Sequence, residues 1–163
     1  LQAVWLTHGH LDHAGGVADL LKQQAVPVWG PHADDGYLLE SLPQTTASYA
    51  SYGFPIAEAF VPDGWLSEGG KLKVGAYEFD VLHIPGHTPG HVVFYCAAEK
   101  LLIAGDVLFY ESIGRTDFPR GNHADLISNI TGKLLVLPED TRVIPGHGRM
   151  TTIGHEKRHN PFL

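Results

Sequence analysis

The chain has 163 residues, 44% of them hydrophobic, which fits one folded domain of the usual ~100–200 residues with a sizeable core. Only 18% of residues are charged, against about 25% in an average soluble domain, and 19 Gly and 11 Pro speak for many turns rather than coiled coil or disorder. A net charge of −7 argues against a nucleic-acid-binding surface, no apolar run approaches the ~18–20 residues of a membrane span, and no signal-peptide pattern opens the chain.

Leu1–Thr7 is nearly all apolar and is read as a strand covered on both faces. The spacing predicts a helix over His13–Gln24, with Val17, Leu20, Leu21 and Gln24 toward the core and Asp12 as its cap. A short strand at Val26–Trp29 would then pair parallel with the first through this crossover. Pro31–Leu42 reads as a helix with Pro31 in its first turn, and Gln44–Gly53 as a further helix or a loop. Strands are expected at Ala59–Val61, Lys71–Val74, Tyr77–Ile84, His91–Cys96 and Lys100–Ala104. A helix over Asn122–Leu137, a strand at Thr141–Ile144 and a short helix at Ile153–Arg158 complete the chain. Residues 1–163 thus form a single α/β domain without repeat or linker. The chain opens at Leu1 without Met, straight into apolar sequence, the pattern of a protein's interior. A lone cysteine, Cys96, excludes an internal disulfide framework and fits a reducing, cytoplasmic compartment.

Histidine is the compositional anomaly: 11 residues, as many as Lys and Arg together. Four potential ligands fall within Thr7-His8-Gly9-His10-Leu11-Asp12-His13. Side chains at i and i+2 of extended chain point the same way, so His8 and His10 converge just past a strand. Asp12 and His13, on the following helix, reach a different point, which suits two neighbouring metals better than one. His87 stands in the Gly/Pro turn Pro85-Gly86-His87-Thr88-Pro89-Gly90-His91, and His147 between Gly146 and Gly148. Asp106 ends the apolar run Leu101–Gly105, where an unpaired carboxylate would cost several kcal/mol and so calls for a cation or several donors. His91 is placed to orient a ligand rather than to be one. His155 and His159, one helical turn apart, lack a third partner in sequence and read as surface residues; His32 and His123 sit near helix starts, and His83 within a strand.

These motifs, in this order, together with Gly114-Arg115-Thr116-Asp117-Phe118-Pro119-Arg120-Gly121 and the tail Glu156–Leu163, resemble the metallo-β-lactamase fold superfamily. Within it they are similar to glyoxalase II-type hydrolases of the short form that has no C-terminal helical domain. The resemblance implies a four-layer αββα sandwich, here lacking the strands that precede the first motif. It places His8, His10 and His87 on one metal, Asp12, His13 and His147 on a second, and Asp106 between them, with Asp12 and Asp106 the catalytic carboxylates. Two Zn²⁺ ions are the default for such an N/O set, and Fe or Mn would accept it. Arg115 is the implied contact for a substrate carboxylate.

The activity so implied is hydrolysis of a small anionic hydroxyacyl thioester, S-D-lactoylglutathione to D-lactate and glutathione, by a monomer or small homo-oligomer. A water shared by two dications is acidified to hydroxide near neutrality, and the thiolate leaves without a strong acid. Three rivals stand beside it. One is a mononuclear-iron persulfide dioxygenase of the same superfamily, disfavoured by the full second ligand set. Another is a β-lactamase, disfavoured because the common dizinc enzymes carry Cys where Asp106 stands. The third is a non-catalytic remnant.

Overall fold

The computed structural model describes residues 1–163, and its organising element is β5 (Val92–Cys96), all five residues of which are buried. This strand pairs antiparallel with β4 (Tyr77–His83) and with β6 (Leu101–Gly105). Beyond β4 lies β3 (Lys71–Val74), and beyond β6 lie β9 (Arg142–Pro145), parallel to it, and β10 (Thr151–Thr152). The resulting six-stranded sheet runs in the order β10-β9-β6-β5-β4-β3.

Alternation along the strands sends successive side chains to opposite faces and so builds two cores from one sheet. Val93, Tyr95, Leu102, Ala104 and Val143 face Leu126 of α5 (His123–Asn129), Ile130 and Leu134 of the π-helical turn that continues it, and Ile153 of α6 (Ile153–His159). Phe79, Val81, Val92, Phe94 and Cys96 face the other way, onto Trp5 and Trp29. Those tryptophans belong to a small parallel sheet, β1 (Val4–Trp5) and β2 (Val28–Trp29), and the Trp5 ring lies 5.4 Å from Phe79 and 5.6 Å from Phe94. The reverse side of the small sheet carries Leu6 and Val28 against Val17, Leu39 and Leu42, from α2 (Val17–Gln23), α3 (Gly36–Glu40) and α4 (Leu42–Ala47). Helix, sheet, sheet and helix follow one another, the four-layer αββα sandwich expected.

Local readings needed correction where turn chemistry outweighs periodicity. The first strand shortens to Val4–Trp5, and the helix expected over His13–Gln24 is two: α1 (Leu11–Ala14) and α2, interrupted at Gly15-Gly16. Asp12 therefore lies inside the first turn rather than capping it; the cap position is His10. Gln24 is exposed. Pro31, behind a cis bond to Gly30, stands outside the helical segment, which begins with a 3-10 turn at Ala33–Asp35. Ala59–Val61 is irregular chain, with Val61 81% exposed, so its apolar run has no sheet to enter. The two-residue strands β7 (Leu108–Phe109) and β8 (Ser112–Ile113) form a hairpin too short for periodicity to reveal. That hairpin is held by the buried Glu156, which accepts hydrogen bonds from the Glu111 amide (2.9 Å), Thr151 Oγ1 (2.6 Å) and Asn160 Nδ2 (2.8 Å).

The two-core arrangement makes a quantitative expectation. Leu102→Ala, in the fully buried layer between sheet and α5, should lower unfolding free energy by about 2–5 kcal/mol in denaturant titration of the metal-free protein. Val61→Ala, at an exposed position, should change it by less than about 0.5 kcal/mol.

Candidate metal centre

Five segments bring their ends to one edge of the sandwich. After β1 the chain stays extended through Thr7–His10, delivering His8 and His10; α1 then turns Asp12 and His13 inward. The turn between β4 and β5 carries His87, the end of β6 carries Asp106, and the end of β9 carries His147. His8, His87 and Asp106 are buried, His10 and His13 half-buried, and Asp12 and His147 exposed.

The ligand atoms fall into two groups, His8 with His10 and His87, and Asp12 with His13, Asp106 and His147, each compact enough to hold one cation. In the first, His87 Nε2 and His10 Nδ1 are 3.1 Å apart. In the second, Asp12 Oδ2 lies 3.1 Å from His147 Nε2 and 3.4 Å from His13 Nε2. Asp106 connects them: its Oδ1 is 3.3 Å from His13 Nε2, and its Oδ2 is 3.3 Å from His147, 3.7 Å from His87 and 3.8 Å from His8. All seven residues singled out in the sequence thus meet.

Whether these donors fit metal can be judged from their own bonding. His8 Nε2, His13 Nε2 and Asp106 Oδ1 are buried without a well-formed hydrogen bond, the last two facing each other at 3.3 Å. An unsatisfied buried polar group costs about 1–3 kcal/mol, so three converging on one point fit a cation-binding site and little else. The protonation pattern agrees. Burial, reinforced by neighbouring imidazoles, pushes His8 well below its usual range and His10 down to about 4, and burial also lowers His87. The first group is therefore three neutral imidazoles with lone pairs available. Burial pulls His13 down, but Asp106 and Asp12 outweigh it and raise its pKa; Asp106, though desolvated, is held below the usual carboxylate range by His13, His147 and His87.

Surrounding groups fix each ligand's orientation. His87 Nδ1 donates to the Arg115 carbonyl (2.7 Å), which turns Nε2 to the centre, and the Thr7 hydroxyl lies 3.1 Å from His8 Nδ1. His91, fully buried and stacked 4.6 Å from His8, accepts the Asp106 backbone N–H at Nε2 (3.0 Å), so it supports a ligand without being one. At Gly146 any Cβ would collide with the Asp106 carboxylate and His13, so only glycine lets the β9 loop close on the site.

Sequence reasoning missed Asp35. This buried carboxylate accepts from the Gly9 amide (2.9 Å), the Gly90 amide (2.6 Å) and Thr88 Oγ1 (2.8 Å), and so ties the His8–His10 loop to the His87 loop. Burial raises its pKa, against the three donors. The one local signal was an Asp next to a helix start, and nothing nearby in sequence points to partners 26 and 55 residues away.

Beside the centre opens a cavity of about 860 Å³. Tyr37, Leu42 and Tyr49 from the α3–α4 region form one wall, and Phe109, Ile113 and Phe118 the other. The Phe118 ring packs edge-on against His10 (4.8 Å) and His87 (5.6 Å). Arg115 lines the cavity, yet its guanidinium is held bidentate by Asp117 at 2.7 and 2.8 Å. Three other histidines have local partners, and His32, Asp34 and His83 bring their ligand atoms close together away from the centre. His155 pairs with Glu111 at 2.9 Å, while His32 and His83 stack at 4.2 Å, the former capping the Asp34 amide and the latter bonded to the Pro89 carbonyl.

Comparison with known proteins places this geometry in context. Residues 1–147 match the metallo-beta-lactamase superfamily. Hydroxyacylglutathione hydrolase GloC of Haemophilus influenzae is 49% identical over 164 residues, covering 100% of this chain and 76% of that protein. The crystal structure of BLEG-1 B3 metallo-beta-lactamase superposes with a TM-score of 0.87 at 43% identity, over 99% of this chain and 76% of the other. TTHA1623 in a di-iron-bound form gives 0.85 at 41% identity, over 99% and 77%.

Two substitutions test the site. Asp106→Ala should leave at most one tightly held metal per chain after dialysis, by elemental analysis; two retained metals would refute its linking role. Asp35→Ala, which touches no ligand atom, should still weaken metal affinity about 10–100-fold in a competition titration with a chromophoric chelator.

Proposed function

The chain belongs to the metallo-beta-lactamase superfamily, and we propose that it is a metal-dependent hydrolase of hydroxyacyl thioesters, S-D-lactoylglutathione to D-lactate and glutathione being the leading case. The observation that carries this reading is a pair of donor groups sharing Asp106 at the side of an apolar cavity. The 49% identity to a protein named hydroxyacylglutathione hydrolase supports it.

His8, His10 and His87 would hold one divalent cation and Asp12, His13 and His147 the other, with Asp106 common to both; two Zn²⁺ ions are proposed, since the donors are all N and O. Two such cations supply an acidified water and polarise the acyl carbonyl. The chain's own part is positional. Neutral imidazoles in the first group have no proton to displace; the Thr7 hydroxyl and the stacked His91 ring keep His8 aimed, and the bond that His87 donates to the Arg115 carbonyl does the same for His87. Phe118 and Ile113 exclude bulk water beside the reacting carbon, which strengthens every charge interaction there. The leaving sulfur belongs to a thiol of pKa near 8.5, so no side-chain acid has to protonate it. A single-iron dioxygenase would leave the second donor group without a purpose. A second reading, opening of a β-lactam amide, is favoured by one observation, the 43% identity to BLEG-1.

The deciding assay follows thioester absorbance with the Zn-loaded chain. Turnover with two metals bound, loss on chelation and recovery on adding Zn²⁺ are the expected results. Oxygen uptake on glutathione persulfide by a one-iron form without thioester loss would replace the proposal with the dioxygenase. Faster opening of a chromogenic cephalosporin than of any thioester would replace it with the lactamase.

A further inference from the structure

A chain of net charge −7 repels anionic substrates at long range, so any cation beside the cavity has a large say in what enters it. One guanidinium, that of Arg115, lines the cavity, and a second, that of Arg120, sits on the outer side of its wall residue Tyr37. Arg115 is already neutralised: Asp117 takes its Nε and Nη2, its charge lies 4.2 Å over the Phe118 ring, and its carbonyl serves His87. Arg120 is different. Its guanidinium carbon sits 4.2 Å from the centroid of the Tyr37 ring, and no carboxylate lies within 4.0 Å of it. Stacking on an aromatic face uses the plane of the guanidinium and leaves its in-plane N–H groups free for a planar, bidentate acceptor.

Its position relates it to the centre. Tyr37, Phe118 and Pro119 all line the cavity, and Phe118 touches His10 and His87. Two residues of chain span at most about 7 Å, so Arg120 stands at the end of the wall that begins at the ligands. The backbone there is left-handed (φ 64°), a conformation that residues with a Cβ rarely adopt, in a turn closed by the Gly121 amide on the Phe118 carbonyl at 2.8 Å.

Resting on the thioester reading above, we infer that Arg120, rather than Arg115, forms a carboxylate-binding subsite at the cavity edge for the thiol half of the substrate. The ligand class is a thiol, or its thioester, bearing a carboxylate several bonds from sulfur. Tyr37 is the platform that holds the cation in place.

The test compares two substrates of one acyl group, S-D-lactoylglutathione and the lactoyl thioester of uncharged N-acetylcysteamine. Arg120→Gln should lower the ratio of kcat/KM for the first over the second by about ten- to fifty-fold, mainly through KM and with a weaker dependence on salt. Arg142→Gln, an exposed cation on β9, is the control and should leave the ratio within about twofold. An equal loss on both substrates, or a loss for Arg115→Gln with none for Arg120→Gln, overturns the assignment. Calorimetric binding of S-methylglutathione to the Zn-loaded chain separates this from the reaction itself. If the wild type hydrolyses neither thioester but Arg120→Gln weakens that binding about tenfold or more, the subsite stands and the thioesterase reading falls. Equal binding by both chains, or none by either, overturns the subsite.

Discussion

The convergence of buried, unpartnered donor atoms on Asp106 is the constraint around which the rest of the structure is arranged. A carboxylate at the end of an apolar strand cannot stay charged without compensation, and four imidazoles within 3.8 Å cannot all be hydrogen-bonded to it. The fold satisfies neither His8 Nε2, His13 Nε2 nor Asp106 Oδ1 from its own polar groups. Such a cluster persists only because the two cores on either side of the six-stranded sheet supply the stability it withholds. The strands that end at the site, β6 and β9, are fixed by buried middle residues, Leu102 and Ala104 in β6 and Val143 in β9, so ligand position is inherited from core packing.

The ligands were legible in the sequence because metal chemistry restricts residue type more tightly than folding does. His8, His10, Asp12 and His13 lie within six residues, and His87, Asp106 and His147 each follow a strand-like run and neighbour a glycine. The layer order came with the resemblance that those motifs carry, while the strands at Tyr77–His83 and Val92–Cys96 announce themselves through β-branched and aromatic content. What stayed hidden depends on long-range contacts. Asp35 looks like any acidic residue near a helix start, and Glu156 like any exposed charge on a terminal helix, until the fold surrounds each with three donors. Asp12 misled in the opposite sense, since α1 already begins at Leu11 with His10 at its cap position, which puts Asp12 inside the first turn.

Asp35 and Glu156 solve one physical problem twice. Each buries a carboxylate and spends its lone pairs on backbone amides and hydroxyls of segments that have little regular structure of their own. Asp35 does this beneath the ligands, joining the first loop to the His87 turn. Glu156 does it beneath the cavity wall, where, with the Asn160 bond to the Ser112 carbonyl at 3.0 Å, it anchors the β7–β8 hairpin that presents Phe109 and Ile113. Charge-assisted bonds of this kind are directional and stronger than neutral ones, so two short polar clusters hold loops that apolar packing alone would leave loose.

This division clarifies why the site combines rigidity with an open side. The first donor group is buried at His8 and His87, neutral, and braced by Thr7, His91 and the Arg115 carbonyl; the second keeps Asp12 and His147 exposed. A cation held by the first is fixed by the protein, whereas one held by the second faces solvent and the cavity. The two groups also differ in charge, since Asp12 belongs to the second alone while Asp106 lies between them. The asymmetry lies in which side chains the edge covers: His8, His87 and Asp106 are buried there, whereas Asp12 on α1 and His147 on the loop after β9 stay exposed.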